Sequence, residues 1–418
     1  AAAGAVNGDK GEQVQGLDLL SPLDFPTLGS LLLVAALVAI ACRRLDLPYS
    51  IGLVAAGIGL ALLAPGHMPA LSRELIFYVF LPPLVFEAAI QIPWQPFRRE
   101  LPLLSMLVTI GVVFATAVVA GGMHWLVGWS WIGAGLFGVL IAATDPVSVI
   151  AAFKQMRVQP RLHLLVEAES LLNDGTAAVG FAVLVAIAAG GDAGAAAIGL
   201  KLVGTVLGGI ACGLAVSGAL VLIAGRTSDR LVEITLTMLI AYGSFLLAEH
   251  LGASGVIATL TAGLVVGNYG FLGSISDDGR QGVLNHWEFV AFLINSLIFL
   301  LIGGQEASAL IGPVLGAAGA AVVLTLLGRA ATVYPLMMAF ARTRLAVPWA
   351  YKHVLFWGGL RGALALALAL ALPDTVAERG EIVAVAFAVV AFSIIVQGIT
   401  MPALVRRLGL VRDVEERQ

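Results

Sequence analysis

The chain has 418 residues, 60% of them apolar and 12% charged, with a net charge of −3 and a mean hydropathy of +0.99. This composition excludes a water-soluble domain, and the small negative charge gives no basic surplus for nucleic acid. The apolar runs are continuous rather than alternating, which excludes an outer-membrane barrel.

In chain order, residues 1–26 carry Asp9, Glu12, Asp18 and Asp24 against Lys10, an acidic tail expected outside the membrane. Crossing about 30 Å of hydrocarbon takes about 20 apolar residues. Apolar runs bounded by charges, Pro or Gly predict thirteen spans at 27–42, 49–65, 73–91, 101–123, 131–153, 162–189, 195–224, 231–249, 253–269, 285–304, 309–340, 348–372 and 382–405. The fold class is therefore an all-α polytopic membrane protein, with residues 27–405 as the membrane domain and 406–418 as a short cytoplasmic tail. The longest expected connector, 270–284, is rich in Gly, Ser and Asp. No Walker-type glycine loop and no room for a cytosolic domain remain, so neither ATP-driven pumping nor an enzyme with a cofactor is expected. Transport must draw on gradients.

Lys and Arg divide seventeen to four between alternate loops, with Arg329 and Arg361 left inside spans. Cytoplasmic loops carry the excess, so the N-terminus is expected outside and the C-terminus in the cytoplasm of a cell (inner) membrane. Cys42 and Cys212 fall within apolar runs and are expected to fill space. Gly204, Gly208, Gly209 and Gly213 have the small-xxx-small spacing of helix contacts, and Trp125, Trp129 and Trp131 fit an interfacial belt.

Six charges lie well inside spans, Glu87, Asp145, Glu169, Asp174, Arg329 and Arg361, with Glu167, Glu233, Glu288 and Glu306 nearer span ends. Each costs about 2.5–3.5 kcal/mol at the bilayer centre on insertion scales, so function is sought there. In span 5, Thr144, Asp145 and Pro146 lie mid-helix; Pro removes a donor and disfavours helix at the residue before it. A break at Asp145 is expected, the usual architecture of secondary-transporter sites. In span 6 Glu169 and Asn173 share one helix face, and Ser170 and Asp174 the adjacent one. Thr144, Asp145, Ser170 and Asp174 then offer hard oxygen ligands to one dehydrated cation, and a proton competes for the same carboxylate. Because unpaired buried charges are costly, Glu169 and Arg329 are expected to pair. Glu87, after Pro82 and Pro83, lines the aqueous path or caps a helix end. Gly358, Gly359 and Gly362 around Arg361 predict a second broken helix in span 12. That suggests an inverted repeat: a first unit near 27–189, a linker span 195–224, and a second unit near 231–405.

The stretches FLPPLVFEAAI (80–90), ATDPVSV (143–149), EAESLLNDGTA (167–177), NHWEFVAFLINSLIFLLIG (285–303), GRAATVY (328–334) and GGLRGAL (358–364) resemble the monovalent cation/proton antiporter family that includes NhaP proteins and NHE exchangers. The resemblance implies a homodimer with a dimerisation domain and a six-helix core of spans 4 to 6 and 11 to 13, in which broken helices 5 and 12 cross. It also implies Asp174 as the essential ion- and proton-binding carboxylate, with Thr144, Asp145 and Ser170 as co-ligands. Glu87 would reach the ion through water, Asn173 would hold the site by hydrogen bonding, and Glu169–Arg329 would be the buried ion pair; Arg361 has no clear role. The Asn-Asp order at 173 and 174 resembles the electroneutral branch, which exchanges one sodium or lithium ion for one proton. Potassium/proton exchange on the same fold is the alternative. A channel would need a filter of repeated backbone carbonyls, and none is visible.

Overall fold

The computed structural model describes residues 25–45, 49–63, 69, 71–190, 194–309 and 314–411; of the tails expected at 1–26 and 406–418, residues 1–24 and 412–418 lie outside them. The described chain is almost wholly helical, and its β pairing is a single bridge between Val158 and Val411. The helices are α1 (Phe25–Leu45), α2 (Tyr49–Leu63), α3 (Leu75–Gln91), α4 (Trp94–Val127), α5 (Trp131–Leu140), α6 (Val147–Met156), α7 (Pro160–Ala188) and α8 (Ala195–Ala224). They continue as α9 (Arg230–His250), α10 (Gly255–Asn268), α11 (Asp277–Ala309), α12 (Leu315–Ala339), α13 (Trp349–Trp357), α14 (Ala363–Leu370) and α15 (Arg379–Arg407).

Eight of these, α1, α4, α7, α8, α9, α11, α12 and α15, are long and apolar enough to cross a membrane alone. Helix length alone identifies eight of the thirteen expected spans; the other five coincide with α2, α3, α10 and the pairs α5–α6 and α13–α14, which are shorter or interrupted. The alternating Ala and Leu after residue 362 form α14, as their helix propensity requires.

Three expectations shift. The connector at 270–284 is shorter, because α11 already starts at Asp277. Ser276 Oγ accepts from the Gly279 N–H at 3.0 Å, and Asp277 and Asp278 place negative charge at the positive helix end. Wholly buried Glu233 secures this corner by accepting from the Ser276 N–H and hydroxyl, each at 2.9 Å. Helix α4 begins at Trp94 rather than near 101. Charge does not stop it, because Glu100 takes a two-pronged bond from Arg161 at 2.7 and 3.2 Å. Finally, Trp129 is buried, whereas Trp125 and Trp131 are exposed; only the latter two fit a belt. Cys42 and Cys212 are free and buried.

The helices pack in two groups. Helices α4–α7 and α12–α15, which are spans 4 to 6 and 11 to 13, pack against one another; α3 and α8–α10 form a second cluster, joined by α2 and α11. Helix α2 meets α11 at two glycines: a Cβ on Gly57 would strike the Leu300 carbonyl, and one on Gly303 the Val54 carbonyl. Backbones approach this closely only where side chains are absent. Of the four α8 glycines with small-xxx-small spacing, Gly208, Gly209 and Gly213 face Ala253, Ser254 and Ala258, while Gly204 meets open space.

Candidate functional site

Between α5 and α6 the chain is unwound, so the break in span 5 runs over residues 141–146 rather than sitting at Asp145 alone. Span 12 is unwound over residues 358–362. The two breaks bond to each other: the Asp145 N–H donates to the Leu360 carbonyl at 2.8 Å. A Cβ at Gly362 would overlap the Asp145 carboxylate, so a side-chain-free residue is what lets the crossing form.

Unwinding leaves carbonyls without intrahelical partners, and two arginines take them up. Arg361, which is 4% exposed, donates through Nη1 to the Ala142 and Ala143 carbonyls at 3.0 and 3.2 Å. It thereby places a cation just past the negative end of α5, a role the sequence left open. Arg329 donates to the Leu355 carbonyl of α13 at 2.8 Å and takes Glu169 of α7 two-pronged, one contact being 2.6 Å. The pairing expected from burial cost is therefore present. A Cβ at Gly359 would come within 2.7 Å of Arg329 Nε.

Asn173 donates from Nδ2 to Glu169 at 3.0 Å and to the Thr144 hydroxyl at 3.3 Å. Glu169, an acceptor only, fixes which way the amide points. Thr144 donates to Ser170 Oγ at 3.1 Å, and Ser170 returns its proton to the Thr144 carbonyl at 2.5 Å. These bonds form one network: Arg329, Glu169, Asn173, Thr144, Ser170.

A cavity of about 330 Å³ opens beside this network, lined by Glu87, Thr144, Asp145, Glu167, Asp174, Glu288, Lys154 and Asn295 together with apolar side chains. The structure thus brings Thr144, Asp145, Asp174 and Glu87 to one space, with Glu87 on the cavity wall rather than acting only as a cap. Asp145 Oδ1 accepts from the Val147 N–H at 2.9 Å, closing the first turn of α6. Asp174 Oδ1 is buried with no hydrogen-bond partner. A buried carboxylate oxygen left unmatched is costly, and a cation or a proton would relieve it. Ser170 and Asn173 do not line the cavity; they sit behind Thr144, and the Ser170 hydroxyl is already committed to it. Glu167, Glu288 and Lys154 were visible in the sequence only as charges near span ends. Lys352, placed in a loop by its sequence neighbours, is buried in α13 with its ammonium 4.4 Å from the Trp349 ring centroid.

The family model described as "Sodium/hydrogen exchanger, transmembrane" matches residues 30–407. The Na(+)/H(+) antiporter ApNhaP of Aphanothece halophytica is 39% identical over 393 residues, covering 92% of this chain and 74% of that protein. The Na(+)/H(+) antiporter NhaP of Pseudomonas aeruginosa is 34% identical over 421 residues, with 92% and 98% covered. Among solved structures, the sodium proton antiporter MjNhaP1 of Methanocaldococcus jannaschii superposes with a TM-score of 0.71 at 20% identity, covering 95% of this chain and 100% of its own.

Proposed function

Because the chain belongs to the sodium/hydrogen exchanger family, we propose that it exchanges sodium for protons across a membrane, one for one, with lithium accepted in place of sodium. The observation that carries this reading is the meeting of Asp145 and Asp174 on one cavity at the crossing of two broken helices. In this reading Asp174 is the carrier: its unmatched oxygen takes a cation or a proton, never both. Thr144 and Asp145 supply further oxygens, and Ser170 joins only if it gives up its bond to Thr144. Glu87 holds a hydrated ion on its way in.

Electroneutrality follows from counting charge at the carrier. Asp174 with one sodium ion and Asp174 with one proton have the same net charge, so whatever charge one half-cycle moves the other returns, and a full cycle moves none. Residue 173 adds none, being an amide whose nitrogen is bound to Glu169 and Thr144. The cycle is proposed to run by alternating access, the site opening to one face and then the other. The antiparallel repeat units, a homodimer, and an orientation with the N-terminus outside the cell membrane belong to the same proposal; the loop charge asymmetry supports the orientation.

The test is reconstitution in liposomes with an imposed pH gradient. Added sodium or lithium should dissipate the gradient at a rate indifferent to a clamped membrane potential. Dissipation by potassium alone would reassign the cation, a potential-dependent rate would overturn the stoichiometry, and silence with every alkali cation would overturn the reading.

A further inference from the structure

A second polar cavity, of about 630 Å³, adjoins the first and is lined by Gln91, Asn268, Arg280, Gln281 and Asn285 among others. Two residues line both spaces, Lys154 and Glu288. They therefore mark the throat between them. Lys154 lies in the last turn of α6, the half-helix that starts at the Asp145 break; Glu288 lies on α11, across the cavity in the other packing group. Among the described residues Lys154 has no carboxylate within 4.0 Å. Its ammonium is nonetheless near enough to act electrostatically on Glu87 and Glu167, and Glu288 acts on Glu87. One ammonium without a carboxylate in contact thus sits among three carboxylates where the two cavities meet.

A lysine head is a compact, strongly hydrated point charge on a flexible stem, the closest side-chain likeness to a hydrated alkali ion. A fixed charge of the substrate's own sign in a narrow cleft lowers the local concentration of substrate. We propose that Lys154 is a tethered cation that competes with the incoming ion for Glu87, Glu167 and Glu288, and so sets the concentration at which exchange half-saturates. This deepens the exchange reading above and rests on it.

The experiment measures exchange rate against sodium concentration in liposomes at constant ionic strength. Lys154→Gln should lower the half-saturating concentration about tenfold, the low end of what charge-lined clefts do. That concentration should move more than the maximal rate. Lys154→Arg should stay at the wild-type value, and Glu288→Gln should raise it. A Lys154→Cys protein gives the same comparison in place: unmodified it should behave as Lys154→Gln, and attachment of an aminoethyl thiol should restore the wild-type value. An unchanged or higher value for Lys154→Gln, or an arginine variant that matches the glutamine one, overturns the proposal while leaving wild-type exchange intact. A wild-type protein that moves no cation overturns both readings.

Discussion

The Asp145 amide donates to the Leu360 carbonyl at 2.8 Å, joining the two unwound segments directly. The candidate ion site is therefore a property of the crossing, not of either helix alone. Each strand of the crossing supplies something the other lacks: Asp145 and Thr144 come from the first, while Gly362 gives the room and Arg361 the countercharge.

Replacing Gly362 by Ala should impair exchange strongly. The new methyl would overlap the Asp145 carboxylate, and neighbouring backbone cannot retreat without breaking the Asp145–Leu360 bond. Exchange should fall at least about tenfold with only a small drop in melting temperature, because the clash is confined to one contact. Near-wild-type exchange would mean that Asp145 does not need its present position.

Asp174→Asn should eliminate sodium-dependent proton movement, because the amide neither binds a proton in the working range nor neutralises a cation. The protein should still reach the membrane, since Asp174 Oδ1 holds no partner whose loss would unfold it. Sodium binding measured by calorimetry should vanish with transport; retained binding would remove Asp174 from the carrier role.

Competition has a sign that can be read directly. A protonated carboxyl binds no cation, so lowering the pH on the cation side should raise the half-saturating sodium concentration. Once the carboxylate is mostly protonated, the rise should approach about tenfold per pH unit for one proton. A limit near a hundredfold would mean that both Asp145 and Asp174 take up protons.

Breaking the Glu169–Arg329 pair should unfold more than it disables. Removing one member of a buried pair costs about 3–5 kcal/mol, and Arg329 would leave behind a buried carboxylate and an unmet Leu355 carbonyl. Arg329→Ala should therefore lower the melting temperature in detergent sharply, and Glu169→Gln less so, since the amide still accepts one bond. A double variant less damaged than the sum of the two would confirm direct coupling.

Arg361→Gln should slow exchange about tenfold or more by uncovering the Ala142 and Ala143 carbonyls, with partial recovery in Arg361→Lys, whose ammonium can still reach one of them. Equal activity of both variants with the wild type would show that the end of α5 needs no cation.

Much of this was legible in the chain because a membrane removes alternatives. Charges within apolar runs had to be paired or functional, which is why the Glu169–Arg329 contact could be expected from its cost. The breaks announced themselves through Pro146 and the Gly358–Gly362 cluster. What the sequence hid is what depends on bringing distant strands together. Nothing local says that Arg361 reaches back to Ala142, that the Ser170 hydroxyl is taken by Thr144, or that Lys154 lines the same cavity as Asp174. The start of α4 is hidden for a related reason. Arg98, Arg99 and Glu100 look like a loop in a hydropathy window, yet the carboxylate finds Arg161 and the helix runs through.

The guanidinium of Arg329 touches α7 through Glu169 and α13 through Leu355 while itself belonging to α12. One side chain thus fastens two neighbouring helices to a third that lies 160 residues away in the chain. A chimera assembled with a relative would have to inherit all three from the same parent, because a crossover between residues 188 and 315 would ask one protein's carboxylate to fit another's arginine. Recombination of this molecule is constrained less by where its loops fall than by which helices share that one clasp.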